Sequence, residues 1–267
     1  MYPIIDFFGM NLYTYSLMAI LGLVAAAIYC ITSCRRAGID IENEICMLAI
    51  AVLFLFIFAV LLYWITRIKD IIQYFPYLFS NPQMFWNKIG LGLVFYGGLF
   101  GAFFGCIVYG KILRNDIREM IKISVPAIPL FHFFGRLGCF FAGCCHGIEN
   151  ERFGIAYTNS ISSENGIPYL PIQLYEAVGN LIIFALLLLR RKHSKNCYEP
   201  IGIYAVSYGI MRFVLEFFRG DTIRGHLGFF STSQWISLIM IPFGLYCLIC
   251  PPGKNILNKA FTSKKSI

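Results

Sequence analysis

Seven apolar runs, each close to 20 residues long, divide this chain, and that spacing limits the fold more than any other feature. A helix rises about 1.5 Å per residue, so about 20 apolar residues are needed to cross roughly 30 Å of hydrocarbon. The runs fall near 12–34, 45–66, 89–110, 123–144, 171–190, 200–219 and 233–250. No sustained apolar/polar alternation accompanies them, which argues against a transmembrane barrel. Only 13% of the 267 residues are charged and the mean hydropathy is +0.69, against roughly 25% charged residues in a soluble domain. The expected fold is an all-α integral membrane protein with seven transmembrane helices. It forms a single multi-pass membrane domain over 1–267, with outer loops near 67–88 and 148–170. No Lys or Arg precedes the first run, which is longer than the core of a secretory signal, so it is expected to stay as a helix.

Basic residues set the expected orientation, because Lys and Arg accumulate in cytoplasmic loops. Fourteen of the 22 follow the odd-numbered runs: Arg35 and Arg36; Lys111, Arg114, Arg118 and Lys122; Arg190, Arg191, Lys192 and Lys195; and Lys254, Lys259, Lys264 and Lys265. Six fall on the other side: Arg67, Lys69, Lys88, Arg152, Arg219 and Arg224. The N-terminus is therefore expected outside and the C-terminus in the cytoplasm. The net charge of +8 is then mainly a topology signal and calls for no nucleic-acid partner.

The loop near 67–88 contains "QYFPYLFSNPQMFW", whose aromatics and prolines suit a re-entrant or amphipathic segment in the headgroup region. The loop near 148–170 contains the turn-rich "YTNSISSENGIP", placed to cap a site. In the third run, Gly98, Gly101 and Gly105 have the small-residue spacing that lets membrane helices approach closely. Cys30, Cys34, Cys46, Cys106, Cys247 and Cys250 read as small buried hydrophobes.

Charges within the apolar runs are costly and normally face a protein interior or a wet cavity. His132, Arg136 and Cys139 share one face of the fourth run, and Arg212, Glu216 and Arg219 share one face of the sixth. Gln173, Tyr175 and Glu176 open the fifth run. The expected topology brings these groups to the outer-leaflet depth, together with Cys144, Cys145 and His146 and with Tyr96, Gly97 and Gly98 of the third run. Taken singly, Arg212 and Glu216 could form an intrahelical pair and Arg219 could snorkel to the interface. Taken together, three arginines outnumber the two carboxylates, Glu176 and Glu216. An anion is expected to complete the site, and a phospholipid phosphate suits guanidinium forks at that depth.

"HFFGRLGCFFAGCCHG", then "PIQLYEA", then "YGIMRFVLEFFR" resemble, in that order, the bacterial phosphatidylglycerol prolipoprotein diacylglyceryl transferase family. That family's signature has the form G-R-x-G-N-F-x-N-x-E-x-x-G, and its later helices carry S-Q-L-Y-E and F-R-x-x-x-E-F-F-R. "FYGGLFGAFFG" resembles its H-G-G-L-I-G segment, and "YTYSLM" its first-helix W-Y-G-L-M. The resemblance implies a bacterial plasma-membrane enzyme with its site toward the outer leaflet. Its partners would be phosphatidylglycerol and a prolipoprotein signal peptide, and no cofactor or metal is implied. It would move the diacylglyceryl group onto the lipobox cysteine thiol and release glycerol phosphate. Arg136, Arg212 and Arg219 would hold the phosphate, with Arg136 and Arg212 stabilising charge on the departing group. Glu216, Gln173, Tyr175, Glu176, Tyr96, Gly97, Gly98 and Cys139 would support the pocket.

The chain departs from the signature where a thiol-activating group is expected. The two signature Asn positions hold Cys139 and Ala142, the Glu position holds Cys144, and the H-G-G His is Tyr96. Cys144, His146 or Tyr96 would have to accept the thiol proton, and His146 is the preferred candidate. A different reading takes Cys139, Cys144, Cys145 and His146 as a soft-metal or redox site, although the spacing is not that of a usual zinc motif. Under that reading the protein would be a paralogue with another chemistry or acceptor. Transport is a third class, and the absence of inverted repeats in the sequence argues against it.

Overall fold

A computed structural model describes the chain except for residues 1–2, 8–9, 91, 93, 114–115, 161–163, 192, 195, 221–225, 228 and 251–267. Of the basic residues counted for orientation, Arg114, Lys192, Lys195, Arg224, Lys254, Lys259, Lys264 and Lys265 therefore lie outside the described residues. So does the side chain of Tyr96.

The chain opens with a hairpin of β1 (Ile4–Phe7) and β2 (Met10–Tyr13), in which Ile4 pairs with Tyr13. The helices α1 (Thr14–Ala37) and α2 (Ile41–Thr66) follow, then three short ones, α3 (Ile68–Tyr74), α4 (Tyr77–Ser80) and α5 (Pro82–Ile89). Next come α6 (Phe95–Ile112), α7 (Arg118–Ser124) and α8 (Ala127–Ala142). A small ladder of β3 (Ile155–Ala156) and β4 (Pro168–Tyr169) leads to α9 (Ile172–Arg191) and α10 (Tyr198–Glu216). A second ladder, β5 (His226–Leu227) with β6 (Phe230–Ser231), precedes α11 (Thr232–Ile249).

Among the described residues, five helical segments are long and apolar enough to cross a membrane: Thr14–Ala37, Ile41–Thr66, Arg118–Ala142, Ile172–Arg191 and Thr232–Ile249. The protein is thus a mostly helical integral membrane protein. Two of the seven expected spans fall short of that description. The apolar helix over Gly97–Ile112 is shorter, and α10 carries Glu199, Arg212 and Glu216 within its length.

Several boundaries differ from the apolar runs, each for a local reason. Residues 82–89 belong to a separate helix, because Asn81 caps Met84 N, Pro82 opens the helix and Gly90 ends it at φ +69°. The fourth run is divided near Val125–Pro126, since proline cannot donate within a helix. The sixth helix ends at Glu216, so Arg219 lies in the segment beyond it.

The backbone forms two compact units, one built from the chain up to Ala37 and from Glu119 to the end of α11, the other from Gly38–Arg118. In the second unit α2 and α6 pack backbone to backbone. A Cβ on Gly101 would stand 2.2 Å from Phe54 O, and one on Gly97 would stand 2.5 Å from Phe58 O. The glycine pattern of the third run therefore serves helix packing, and Gly97 and Gly98 both face α2. The segment read from the sequence as interfacial folds as three short helices, α3, α4 and α5, with Phe79 83% exposed.

In the first unit α1 packs on α8, α8 on α9, and α10 on both α9 and α11. Gly202 of α10 meets Gly244 of α11 so closely that a Cβ on Gly202 would be 2.8 Å from Gly244 O. At one end of this bundle Arg191 Nη1 donates to Ser33 Oγ at 2.8 Å, joining the basic last turns of α9 and α1. At the other end, the segments after α8, before α9 and after α10 are laced by backbone bonds. Gly147 N donates to Leu170 O at 2.8 Å, and Ile148 N donates to Phe218 O at 2.9 Å.

Not all of the six packing cysteines are buried. Cys30, Cys34 and Cys247 are buried, Cys106 and Cys250 are half-buried, and Cys46 is exposed on α2. An apolar helix with a lipid-facing side has no need to bury every small residue.

Candidate active site

The centre of the first unit is a carboxylate shared by two guanidinium groups. Glu176 lies in the first turns of α9 and is 1% exposed. Its Oε1 is 2.8 Å from Nη2 of Arg136 in α8, and its Oε2 is 3.4 Å from Nη1 of Arg212 in α10. Arg212 also reaches Glu216 Oε2 at 2.8 Å, one helical turn along α10, and donates to Ser233 Oγ at 3.2 Å. Arg219 turns back toward the same carboxylate, with Nε 3.9 Å from Glu216 Oε2. Ser231 Oγ donates to Glu216 Oε1 at 2.9 Å.

The intrahelical pair of Arg212 and Glu216 is thus present, but it forms one edge of a larger network. Arg219 does not snorkel: its side chain is 4% exposed and packed beside Glu216. Three cations and two carboxylates leave one positive charge in excess. Such a network is tolerable away from water because each charge has an opposite neighbour. Exposure differs among its members, and that difference has chemical consequences. The Arg212 side chain is 3% exposed and braced from three sides, whereas that of Arg136 is 19% exposed. Arg136 therefore retains surface that a ligand can reach.

Further polar groups lie along the same helices. His132, one turn before Arg136 on α8, is 3.4 Å from Tyr204 Oη, and its ring lies 5.4 Å from that of Tyr208. Asn180 donates to the backbone oxygen of Glu176 at 2.8 Å.

The cysteine segment follows where α8 ends. Gly143 stops the helix in the left-handed conformation, φ +71°, and Cys144 N donates back to Cys139 O at 3.1 Å. Cys145 also has a positive φ, +61°, a conformation that costs a non-glycine residue and needs support from its surroundings. That support is visible on both sides. Gln173 Nε2 donates to Cys144 O at 2.7 Å, Tyr157 Oη donates to Gln173 Oε1 at 3.2 Å, and Ser160 Oγ donates to Gly143 O at 2.7 Å. Burial pushes the Tyr157 phenol up from its ordinary value, so it stays a neutral donor.

The two chain reversals bring the sulfurs of Cys139, Cys144 and Cys145 within 4.8 Å of one another. His146 is not in that sulfur group. Its ring rests against Tyr169 with centroids 4.1 Å apart, and Nδ1 is 2.9 Å from Gly147 O. A carbonyl only accepts, so Nδ1 is the donor in this contact. Of the residues that open α9, Gln173 and Glu176 point inward, while Tyr175 is 46% exposed and off their face. Tyr96, Gly97 and Gly98 belong to the other unit.

Ser231, Ser233, Gln234, Tyr157 and Asn180 were not singled out by the sequence analysis. A signal existed for the first three. "STSQ" at 231–234 has the form of a capping box, and Ser231 and Gln234 do cap α11 reciprocally. That box fixes the start of α11 against the end of α10, where Ser231 and Ser233 meet Glu216 and Arg212.

Residues 3–250 match the family model for prolipoprotein diacylglyceryl transferase. A phosphatidylglycerol–prolipoprotein diacylglyceryl transferase of Clostridium tetani is 32% identical over 242 residues, covering 90% of this chain and 94% of that protein. Similarly named proteins of Clostridium perfringens and Clostridioides difficile are 28% and 29% identical, covering 90% and 94% of this chain and 91% and 95% of their own lengths. The Glu176-centred cluster of Arg136 and Arg212 is thus carried by a chain matched over nearly its whole length, and that chain belongs to the prolipoprotein diacylglyceryl transferase family of enzymes.

Proposed function

We propose that this protein transfers the diacylglyceryl group of phosphatidylglycerol to the lipobox cysteine thiol of an exported prolipoprotein, releasing glycerol phosphate. The supporting observation is the buried carboxylate of Glu176 holding Arg136 and Arg212 side by side, with one positive charge in excess over the cluster. A phosphodiester supplies the missing anion. Arg136, the most exposed of the three, would take its oxygens, while Arg212, fixed by Glu176, Glu216 and Ser233, and Arg219 beside Glu216 would hold positive charge behind it. As the ester carbon–oxygen bond breaks, negative charge grows on the departing glycerol phosphate. Preorganised guanidinium groups in a site of low dielectric stabilise that charge more than the ground state. His146 Nε2 is the proposed acceptor for the thiol proton, with Nδ1 fixed on Gly147 O.

The proposed topology has seven spans, N-terminus outside and C-terminus cytoplasmic in a bacterial plasma membrane, with the site toward the outer leaflet. The meeting of the basic ends of α1 and α9 at one pole supports it, as does the gathering of the Cys139–His146 segment and Gln173 at the other.

The test is reconstitution of the purified protein in nanodiscs containing phosphatidylglycerol, with a lipobox peptide, following peptide mass and released glycerol phosphate. A diacylglyceryl adduct that disappears in Arg136→Ala is the expected result. A fully active Arg136→Ala protein would overturn the phosphate clamp.

A further inference from the structure

The sulfurs of Cys139, Cys144 and Cys145 lie within 4.8 Å of one another, and none of these cysteines is in a disulfide. Around a tetrahedral zinc ion with Zn–S bonds of about 2.3 Å, sulfurs stand about 3.8 Å apart, so each pair would need to close by at most about 1 Å. The vicinal pair and the gap of four before it do not match usual zinc spacing in sequence. The left-handed turns at Gly143 and Cys145 fold the chain back and bring the three thiols together. Cys139 is buried, and Cys144 and Cys145 are half-buried, so the group has one closed side and one open side.

We propose that these three cysteines bind a zinc-class ion with its fourth position open to the thiol of the acceptor peptide. The proposal rests on the diacylglyceryl transferase reading. Three protein ligands with one open position is the arrangement of catalytic rather than structural zinc. Zinc with three thiolates carries one negative charge, a favourable neighbour for guanidinium groups that also have a phosphate to hold. Arg136 interacts electrostatically with Cys139 and Cys145, and Arg219 with Cys145, so the ion would sit beside the groups assigned to the phosphate.

The chemistry also addresses the missing signature residues. Zinc binds a thiol as the thiolate, so coordination replaces the activation that the absent Glu and Asn would have assisted. The peptide thiol binds as the thiolate and releases its proton to water. Its sulfur lone pair then forms a bond to the diacylglyceryl carbon, the bond from that carbon to the phosphate oxygen breaks, and the electron pair leaves on glycerol phosphate. The product thioether is a neutral, weaker ligand, so the fourth position reopens. No oxidant or reductant is required.

The test uses Co²⁺ as a spectroscopic probe in the full chain, held in nanodiscs without phosphatidylglycerol. The expected result is one Co²⁺ per protein with a thiolate charge-transfer band and tetrahedral ligand-field bands. The bands should shift with a lipobox peptide containing Cys but not with its Ser counterpart. Cys144→Ser and Cys145→Ser should each weaken Co²⁺ binding by more than the roughly 10–100-fold that loss of an outer-shell partner costs, while exposed Cys46→Ser should not. No Co²⁺ uptake, or uptake unaffected by either substitution, overturns the proposal.

Transfer is then assayed separately after chelator stripping, with an expected loss of at least about 100-fold that zinc restores. Undiminished transfer without metal overturns the metal step and leaves the transferase reading standing. Peptide-responsive Co²⁺ in a protein that transfers nothing with zinc supports the metal and thiol site and overturns the transferase reading.

Discussion

Arg136 Nη2 lies 2.8 Å from Glu176 Oε1, an ion pair joining α8 to α9 in which the carboxylate is 1% exposed and the guanidinium 19% exposed. The imbalance separates a group that holds the site from a group that can reach out of it.

Arg136→Ala and Arg212→Ala are therefore expected to differ. Both should reduce transfer by at least about 100-fold, the scale of losing one preorganised donor to developing charge. Arg212→Ala should also destabilise the protein by about 3–5 kcal/mol, because it strips two buried carboxylates of their shared partner. Arg136→Ala should cost clearly less. Thermal unfolding in detergent, set beside transfer rates, checks the distinction.

Glu176→Gln keeps the shape and removes the charge, leaving Arg136 and Arg212 close together with no carboxylate between them. A loss of about 3 kcal/mol or more in stability is expected, accompanied by weaker transfer. Chemical unfolding and the nanodisc assay measure the two effects, and an unchanged midpoint would contradict the central role given to this carboxylate.

Gln173 anchors the loop rather than the chemistry. Gln173→Leu should leave Cys144 O and Tyr157 Oη without their partner, at a cost of about 1–3 kcal/mol. Amide exchange should accelerate across residues 143–147 and remain slow in α9. Equal acceleration throughout would indicate global destabilisation instead.

Two glycines of the signature segment should respond oppositely to alanine. A Cβ on Gly147 would stand 2.6 Å from Ile172 Cγ1 and 2.7 Å from Phe218 O, so Gly147→Ala should be destabilising by about 1–3 kcal/mol. Gly135, within α8, has nothing within 4 Å of such an atom, and Gly135→Ala should stabilise by about 0.5–1 kcal/mol. Melting temperatures of the two variants decide this.

The membrane class, the helices and the list of charged candidates were legible in the sequence. Apolar length follows from bilayer thickness, and a charge in an apolar helix stands out because burying it is costly. The spacing of Arg212 and Glu216 likewise allowed their intrahelical pair, whereas the turn of Arg219 back toward Glu216, in place of snorkelling, lay outside what the spacing shows.

Partner choice between helices was not legible. That Glu176 takes both Arg136 and Arg212, that Ser231 and Ser233 brace the cluster from the start of α11, and that Gln173 secures Cys144 are contacts between residues 15 to 40 positions apart. Such contacts depend on how the helices pack, which local periodicity does not encode. The cysteines show the same division most clearly. Their sequence spacing fits no usual metal motif, and only the two left-handed turns, stabilised by bonds from Gln173 and Ser160, bring the three sulfurs together. Composition and local periodicity are enough to mark the side chains that hydrocarbon would exclude. Which of them meet is set by helix packing, because a buried charge or a strained turn is held by neighbours that the chain supplies from far away.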